Sequence, residues 1–341
     1  MTKRIGRYVL KLENRPVILG NAAVVGKTEG EGPLADEFDY CYPDDGIGKP
    51  TWEKAETELH KQAIMRAISK SGKTNDDIDI IYAGDLLDQC VASTFGIREL
   101  NIPFAGIFGA CSTMAYSLCH ASVSVNADIM RFAVASTSSH FCTAEKQFRF
   151  PLEYGGQRPP TAQRTVTGAG ACVIGKGKGV GIEYAMFGRI HDLGITDANN
   201  MGAAMAPAAA RTITDFLHDT DTQPADYDLI LTGDLGKVGS DLLLELMCDR
   251  ENIDISAVHN DCGLMIFDTD KQDVHSGGSG CGCSAAVVCS KIIRLLKEKQ
   301  LNRVLFVGTG ALMSPVTSLQ GESIPSIAHA VLLTSQGGEA I

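Results

Sequence analysis

Several features that mark particular classes of protein are absent from this sequence. No apolar run approaches the roughly 18 to 20 residues that a membrane span requires. Residues 1–19 are interrupted by charged side chains, so they lack the apolar core of a signal peptide. The net charge is −11 and Lys and Arg form no basic stripe, which argues against nucleic acid or anionic lipid as a partner. We therefore expect an intracellular protein without a membrane-spanning segment.

The cysteines fit neither a disulfide scaffold nor a metal site. They number 11, an odd count, and most lie within apolar stretches, which is typical of a reducing compartment. Cys281 and Cys283 have no second pair of Cys or His at ligand spacing, so no metal or other cofactor is expected. Hydrophobic residues make up 44% of the chain and aromatic residues only 6%, which predicts a core of Ala, Val, Ile and Leu.

The most informative pattern that is present is an internal repeat. Ile78–Leu86 and Tyr227–Leu235 both read as buried strands that end in a Gly-Asp turn. The turns place Asp85 and Asp234 at the same point of the two strands, with an offset of 149 residues (234 − 85). Ligands bind at such strand ends in α/β sheets, although an Asp there more often caps a turn.

A second matched pair follows in the same order. Ala110–Ala115 and Gly282–Val287 each open a helix, and Cys111 corresponds to Cys283 with an offset of 172 residues (283 − 111). The strands that follow share this offset: Arg131–Thr137 and Arg303–Thr309. The repeat predicts an α/β protein of two duplicated βαβ-rich halves, residues 1–178 and 179–341.

Cys111 is the strongest candidate for chemistry. It lies at the start of a predicted helix, where backbone N–H groups lower the pKa of a thiol and can hold an oxyanion. The alternative is a small buried residue at a tight turn. Gly280 and Cys281 belong to a glycine-rich string that could present N–H groups to an anion or simply pack closely. His140 and His259 are more often structural than catalytic when they stand alone.

Three strings resemble the thiolase superfamily and its condensing enzymes. Gly109–Ser112 is similar to the start of the helix that carries their nucleophilic Cys, Thr167–Ile174 to a Gly-rich strand, and Gly308–Met313 to a C-terminal loop. Longer strings resemble the stage V sporulation protein AD family over roughly residues 15–335. These strings include Ala83–Leu87, Phe108–Thr113, Asp192–Asp197, Met205–Ala210, Leu229–Leu235, His259–Ile266 and Gly277–Cys281.

The resemblance implies a thiolase-like fold with a five-layer α/β/α/β/α core. It also implies a homodimer and a role in moving dipicolinic acid, or its calcium chelate, into the developing spore. Integral-membrane proteins of the same sporulation system are the implied partners. The chain would then lie peripherally on the inner membrane of the spore, held there by those partners.

Departures from the enzyme pattern argue against catalysis. The condensing enzymes carry a His after the strand that matches Leu229–Leu231, whereas this chain has Thr232-Gly233-Asp234. Their second His or Asn has no counterpart near Ser276–Ser279, and no second Cys stands in Gly308–Met313. A Cys without a positioned acid or base is a poor Claisen catalyst, because such groups contribute about 10² to 10⁴ in rate. We therefore expect a non-catalytic protein.

A dianionic ligand needs local donors, since the protein as a whole repels it. Arg149, Arg158 and Lys146, with the backbone N–H groups of Ala110–Ser112 and Gly280–Gly282, are the candidate donors. Two alternatives stay open: an acyltransferase that uses Cys111 as nucleophile, and a structural scaffold with a vestigial pocket. The full set of candidate ligand-binding residues is Asp85, Cys111, Ser112, His140, Arg149, Arg158, Asp234, His259, Gly280 and Cys281.

Overall fold

The computed structural model of the protein describes residues 2–148 and 158–337. Its strands are β1 Thr2–Ile5, β2 Val9–Leu12, β3 Val17–Val25, β4 Tyr40–Cys41, β5 Ile80–Gly84, β6 Phe104–Gly106, β7 Ala133–Ser139, β8 Arg164–Thr165, β9 Gly168–Gly175, β10 Gly179–Met186, β11 Leu229–Thr232, β12 His259–Asp261, β13 Gly278–Ser279, β14 Arg303–Ala311 and β15 Ser326–Gly337. Its α-helices are α1 Lys27–Gly30, α2 Trp52–Lys70, α3 Val91–Ile97, α4 Thr113–Asn126, α5 Phe141–Phe148, α6 Met201–Thr220, α7 Gly236–Glu251, α8 Cys262–Ile266, α9 Cys281–Val287, α10 Ile293–Lys297 and α11 Pro315–Leu319.

The large sheet consists of two half-sheets with the same strand order. One runs β6-β5-β7-β9-β3 and the other β12-β11-β14-β15-β10. In both, the first three strands pair in parallel, and the fourth strand pairs antiparallel with the third and with the fifth. The half-sheets meet where β10 pairs with β3 over two residues, Val180 opposite Ile18 and Gly181 opposite Val17. This matched order confirms the duplication predicted from the sequence.

The helices complete five layers. α2 packs on the outer face of the first half-sheet with α3 beside it, and α6 packs on the outer face of the second with α7 beside it. Between the sheets lie α4 and the continuous helical run Cys281–Lys297, in which Val288–Ile292 forms a π-helical turn joining α9 to α10. Three separate apolar clusters fill the central layer and the two outer layers. The α/β/α/β/α core is therefore confirmed.

Local sequence explains where the outer helices begin. The Thr51 hydroxyl accepts a hydrogen bond from the Lys54 N–H, and the Asn200 side chain caps α6 in the same way. The small residues at the start of α6 allow a close helix contact, because a Cβ on Gly202 would lie 2.6 Å from the Leu235 carbonyl oxygen and 2.8 Å from the Gly239 nitrogen. Helix α6 therefore lies close against α7 at its Met-, Ala- and Gly-rich start.

The two halves differ in their connections. The β1–β2 hairpin precedes the first half-sheet in the chain, yet β2 pairs with β10 of the second. The region between β11 and α9 is longer than its counterpart because α7 spans 16 residues where α3 spans seven, and because α8 and β13 are inserted between β12 and α9. No helix within the described residues combines the length and hydropathy needed to cross a bilayer.

Candidate functional site

Two helix starts and two strand-end aspartates meet at the centre of the molecule. Cys111 lies in the turn that leads into α4, and Cys281 is the first residue of α9. Each follows a residue with positive φ, 50° at Ala110 and 96° at Gly280. These shared turns make Cys281 the counterpart of Cys111, so the correspondence of Cys111 with Cys283 is wrong by two residues. The offset at the helix starts is therefore 170 residues (281 − 111).

Asp234 occupies the position beside Cys111. Its carboxylate accepts hydrogen bonds from the Thr309 hydroxyl at 2.8 Å, the Gly280 N–H at 2.8 Å and the Ser279 hydroxyl at 3.1 Å. The side chain is fully buried, and burial raises the pKa of its carboxyl to about 7, while hydrogen bonds from the Cys111 thiol, the Gly280 N–H and the Thr309 hydroxyl lower it in part. Asp234 therefore connects three segments of the second half: the end of β11, the start of α9 and strand β14.

The surroundings of Cys111 shift the pKa of its thiol in the opposite direction to the one expected at a helix start. Burial and then the neighbouring Asp234 carboxyl raise the pKa of the Cys111 thiol well above its ordinary value, and the Gly280 N–H offsets this only in part. Transfer of a proton from this thiol to the Asp234 carboxylate is energetically uphill, because the pKa of the thiol lies well above the carboxyl pKa of about 7. The Ser112 hydroxyl is no substitute base, because it donates to the Gly109 carbonyl at 2.6 Å.

The first half presents a related arrangement around Cys281. The Cys281 thiol donates to the Ser138 carbonyl at 3.0 Å, and burial with the nearby Asp85 and Glu56 carboxyls raises its pKa. Asp85 accepts from the Ser93 hydroxyl at 2.6 Å, and burial raises its pKa. Glu56, which sequence reasoning missed, is fully buried, and burial followed by Asp85 raises its pKa too. At least one of the two neighbouring carboxyls, Asp85 or Glu56, therefore tends to be protonated.

The predicted histidines make hydrogen bonds elsewhere. The His140 Nε2 donates to the Asp45 carbonyl at 2.8 Å while its Nδ1 accepts from the Cys142 N–H at 3.1 Å. His259 Nε2 lies 3.1 Å from the Thr232 hydroxyl, and burial lowers its pKa to about 4. None of the eight histidines, all within the described residues, hydrogen-bonds to the Cys111 thiol.

The space near Cys111 is small. A cavity of about 30 Å³ lies against Ser279, Gln163 and Phe148, which is room for roughly one or two waters. Cys111 itself is 5% exposed and packs with Leu86, Ala144 and Cys281. By contrast, a groove of about 420 Å³ lies on the outer surface between α2 and α3. The cavity beside Ala144 and Phe148, which pack with Cys111, is therefore too small for a ring-sized ligand.

Two arginines lie over one phenylalanine a short distance along the chain from His140. The Arg164 and Arg158 guanidinium carbons lie 4.0 and 5.8 Å from the centre of the Phe141 ring. Arg158 Nη2 donates to the Asp273 carbonyl and pairs with its carboxylate at 3.1 Å. Arg158 Nη1 and Arg164 Nε are buried without a partner among the described residues. Arg149 lies outside those residues.

Two acidic groups near Arg164 are also incompletely paired. Glu29 is fully buried and accepts from the Thr167 N–H at 2.9 Å through Oε1, while its Oε2 has no partner among the described residues. Asp45 Oδ1 is likewise buried and unpaired. Burial raises the pKa of Glu29 to about 7, while Arg164 partly lowers it and Asp45 partly raises it. We define the Phe141 cluster as Phe141, Glu29, Asp45, Arg158 and Arg164.

Local sequence carries no signal for most of the Phe141 cluster. Of its members only Arg158 was among the predicted site residues, because Glu29, Asp45 and Arg164 come from separate segments that only the fold unites. No group of three or more His, Cys, Asp or Glu side chains with metal-binding geometry occurs in residues 2–148 and 158–337. The unpaired atoms therefore include both donors and acceptors without forming a ready metal site.

Comparison of sequences gives a match over nearly the whole chain. The sequence model of the family described as Stage V sporulation protein AD (SpoVAD) matches residues 6–334. The Stage V sporulation protein AD of Bacillus subtilis (strain 168) is 46% identical over 325 residues, which cover 95% of this chain and 96% of that protein.

Comparison of structures gives condensing enzymes. The 3-oxoacyl-[acyl-carrier-protein] synthase III of Aquifex aeolicus VF5 superposes with a TM-score of 0.57 at 13% identity, covering 94% of this chain and 99% of that one. A single-residue variant of OleA from Xanthomonas campestris superposes with a TM-score of 0.58 at 12% identity, covering 94% and 98%. At these identities the likeness shows a shared thiolase-like fold alone.

Proposed function

The chain belongs to the Stage V sporulation protein AD family, and from that premise we propose that it is a non-catalytic protein that binds dipicolinic acid or its calcium chelate. Its role is then to receive this ligand for uptake into the developing spore. The observation that carries the ligand-binding part is the Phe141 cluster, where four charged side chains keep buried polar atoms without a partner among the described residues.

The proposal of no catalysis rests on the proton chemistry around Cys111. A thiol nucleophile needs a neighbouring base or a lowered pKa. Cys111 has a raised pKa and faces the Asp234 carboxyl where the condensing enzymes have an imidazole. The hydrogen bonds from Ser279, Gly280 and Thr309 hold the Asp234 carboxyl in place. Asp234 therefore does not rotate away to let another base reach the Cys111 thiol.

The chemistry of the Phe141 cluster suits a ring that carries carboxylates. Buried polar atoms in folded proteins almost always have partners, so the unpaired N–H groups of Arg158 and Arg164 favour a bound acceptor. Arginine forks bind carboxylates, and the Phe141 face offers an aromatic surface beside them. The free dianion of the ligand would accept hydrogen bonds from these arginines, but the neighbouring carboxyl groups of Glu29 and Asp45 would repel it.

The calcium chelate meets this objection. A bound calcium ion takes six to eight oxygen ligands, and the chelating molecule supplies only some of them. The unpaired Glu29 Oε2 and Asp45 Oδ1 are oxygen acceptors of the kind that complete such a shell. We therefore favour the chelate over the free acid as the bound form.

The partners follow from the same family. We propose a homodimer that associates peripherally with the inner membrane of the spore through integral-membrane proteins of the sporulation system. Edge strand β6 is paired on one side only, by β5, among the described residues. Phe108, just beyond β6, is 48% exposed, which makes this edge a suitable surface for a second copy.

Titration calorimetry with dipicolinate, in the presence and absence of calcium, tests the ligand. The wild type is expected to bind, and more tightly with calcium. Arg164→Gln should weaken binding at least tenfold, because a hydrogen bond between charged groups contributes about 1.5–3 kcal/mol. Arg211→Gln is the matched control, since Arg211 is an exposed arginine on α6 that pairs with Asp215.

Two results would contradict the proposal. Absence of any saturable heat from the wild type in either condition would remove dipicolinate as the ligand and favour a scaffold. Equal affinity in Arg164→Gln and Arg211→Gln, with unchanged Tm, would leave the ligand but exclude the Phe141 cluster as its site.

A further inference from the structure

Two cysteines that the proposed function does not use are in contact in the central layer. The Cys172 and Cys289 Sγ atoms lie 3.4 Å apart, and both residues are fully buried. Cys172 lies on β9 and Cys289 in the π-helical turn Val288–Ile292, so the contact joins a sheet to the central helix. Among the described residues this is the pair of thiols within hydrogen-bonding distance of each other.

The helix irregularity brings the second thiol to the first. A π-helical turn widens a helix by one residue, and such turns are frequent at functional positions. Here the turn directs Cys289 at the sheet, where Cys172 points into the central apolar cluster. The two residues are 117 positions apart in the chain, so nothing local in the sequence predicts the contact.

A cation and an amide lie beside the two thiols. Asn21, which is directly opposite Cys172 in the β3–β9 pairing, donates to the Cys289 carbonyl at 2.7 Å. The Lys297 ammonium donates to the Asn21 Oδ1 at 2.6 Å; burial lowers the pKa of Lys297, and Cys172 raises it in part. Polar groups therefore reach the two thiols from the sheet and from the helix.

The two sulfurs have different roles in such a reaction. Burial, and then the contact with Cys172, raises the pKa of the Cys289 thiol well above its ordinary value. A thiol with so high a pKa is a poor nucleophile, so the first attack is assigned to Cys172.

We propose that Cys172 and Cys289 form a redox-active dithiol that hydrogen peroxide converts to a disulfide between the first half-sheet and the central helix. The Cys172 thiol attacks one peroxide oxygen, the O–O bond breaks, and a sulfenic acid and one water form. The Cys289 thiol then displaces the sulfenic oxygen as a second water, and the S–S bond forms. Both sulfurs are oxidised and the peroxide is reduced.

The consequence is a covalent link between layers that otherwise hold together by packing and by hydrogen bonds such as the one from Asn21 to the Cys289 carbonyl. Closing a chain segment of this length restricts the unfolded state more than closing a short one. The oxidised protein is therefore more resistant to heat than the reduced one, without any change in the Phe141 cluster or around Cys111.

The test treats the folded full-length protein with hydrogen peroxide, blocks remaining thiols by alkylation and maps disulfide-linked peptides. The expected result is a Cys172–Cys289 linked peptide, the loss of two titratable thiols in the denatured protein and a higher Tm that a reductant reverses. Cys248→Ser serves as the background, because Cys248 is the exposed cysteine that would otherwise form links between molecules.

Cys289→Ser in that background should lose the linked peptide and the reversible rise in Tm. Cys289→Ala is a second variant for the case in which a buried serine unfolds the protein. Folded protein that shows oxidation elsewhere and no Cys172–Cys289 peptide overturns the proposal, as does a linked peptide that leaves Tm unchanged.

Discussion

The stability of the protein should fall with rising pH because Asp234 is buried as a neutral carboxyl. Its folded pKa is about 7, whereas an Asp in an unfolded chain has a pKa of about 3.9. A raised folded pKa gives stability that is complete below the unfolded value and is lost as pH rises toward the folded value. Within that window each pH unit changes the free energy of unfolding by up to about 1.4 kcal/mol, which amounts to roughly 2.3 kcal/mol between pH 5 and pH 7.

The comparison of wild type with Asp234→Asn isolates this effect. The variant replaces one of the two oxygens that accept from Thr309, Ser279 and Gly280 by an NH2 group at every pH, so this constant loss cancels when the difference is followed against pH. The advantage of the wild type in free energy of unfolding should therefore shrink between pH 5 and pH 7 and level off above the folded pKa. Equilibrium urea denaturation measures it, with Asp241→Asn, at an exposed position on α7, as the control.

A constant or growing advantage of the wild type between pH 5 and pH 7 would refute this reasoning. It would mean that burial does not raise the pKa of Asp234 and that the carboxyl is ionised throughout this pH range. The proposal of an inert thiol would then lose its main physical support.

Three further outcomes are expected. A maleimide should modify exposed Cys248 in the folded protein and reach Cys111 only after unfolding, so early labelling of Cys111 in peptide maps would contradict its occlusion. Gly202→Ala should lower Tm, because its Cβ would lie 2.6 Å from the Leu235 carbonyl and overpacking typically costs about 1–3 kcal/mol; an unchanged Tm would show that the helices can separate freely. Sedimentation velocity should give twice the chain mass of 36.3 kDa, and replacing exposed Phe108 by Lys should shift the protein toward monomer, whereas a monomeric wild type would exclude the proposed dimer.

The fold could be predicted from the sequence because each strand and turn has a pattern within a short segment, and the segments repeat in the same order in both halves. Continuous apolar strands ending in Gly-Asp turns, repeated at matched offsets, specify two buried half-sheets before any contact is known. The sequence pattern predicts outer helices over Trp52–Ser69 and Ala203–His218, which agree with α2 and α6 within about two residues at each end. The short edge strands β6 and β12 were missed, because three residues carry too little periodicity to identify a strand.

The candidate site could be predicted only in part, since its chemistry depends on contacts between residues that lie far apart in the sequence. The position of Cys111 at a helix start was predicted correctly, but burial and Asp234 reverse the pKa that this position alone would give. Nothing in the local sequence around Glu29 or Arg164 distinguishes them from ordinary surface residues. They become notable only because the fold buries polar atoms of both without a partner among the described residues.

Intact-mass spectrometry after incubation with an acyl thioester tests the central claim most directly. Because the Cys111 thiol is buried, protonated and faced by a carboxyl, the protein should retain its unmodified mass at neutral pH. An acyl adduct on the folded wild type that disappears in Cys111→Ser would contradict the account and identify an acyl-transferring enzyme.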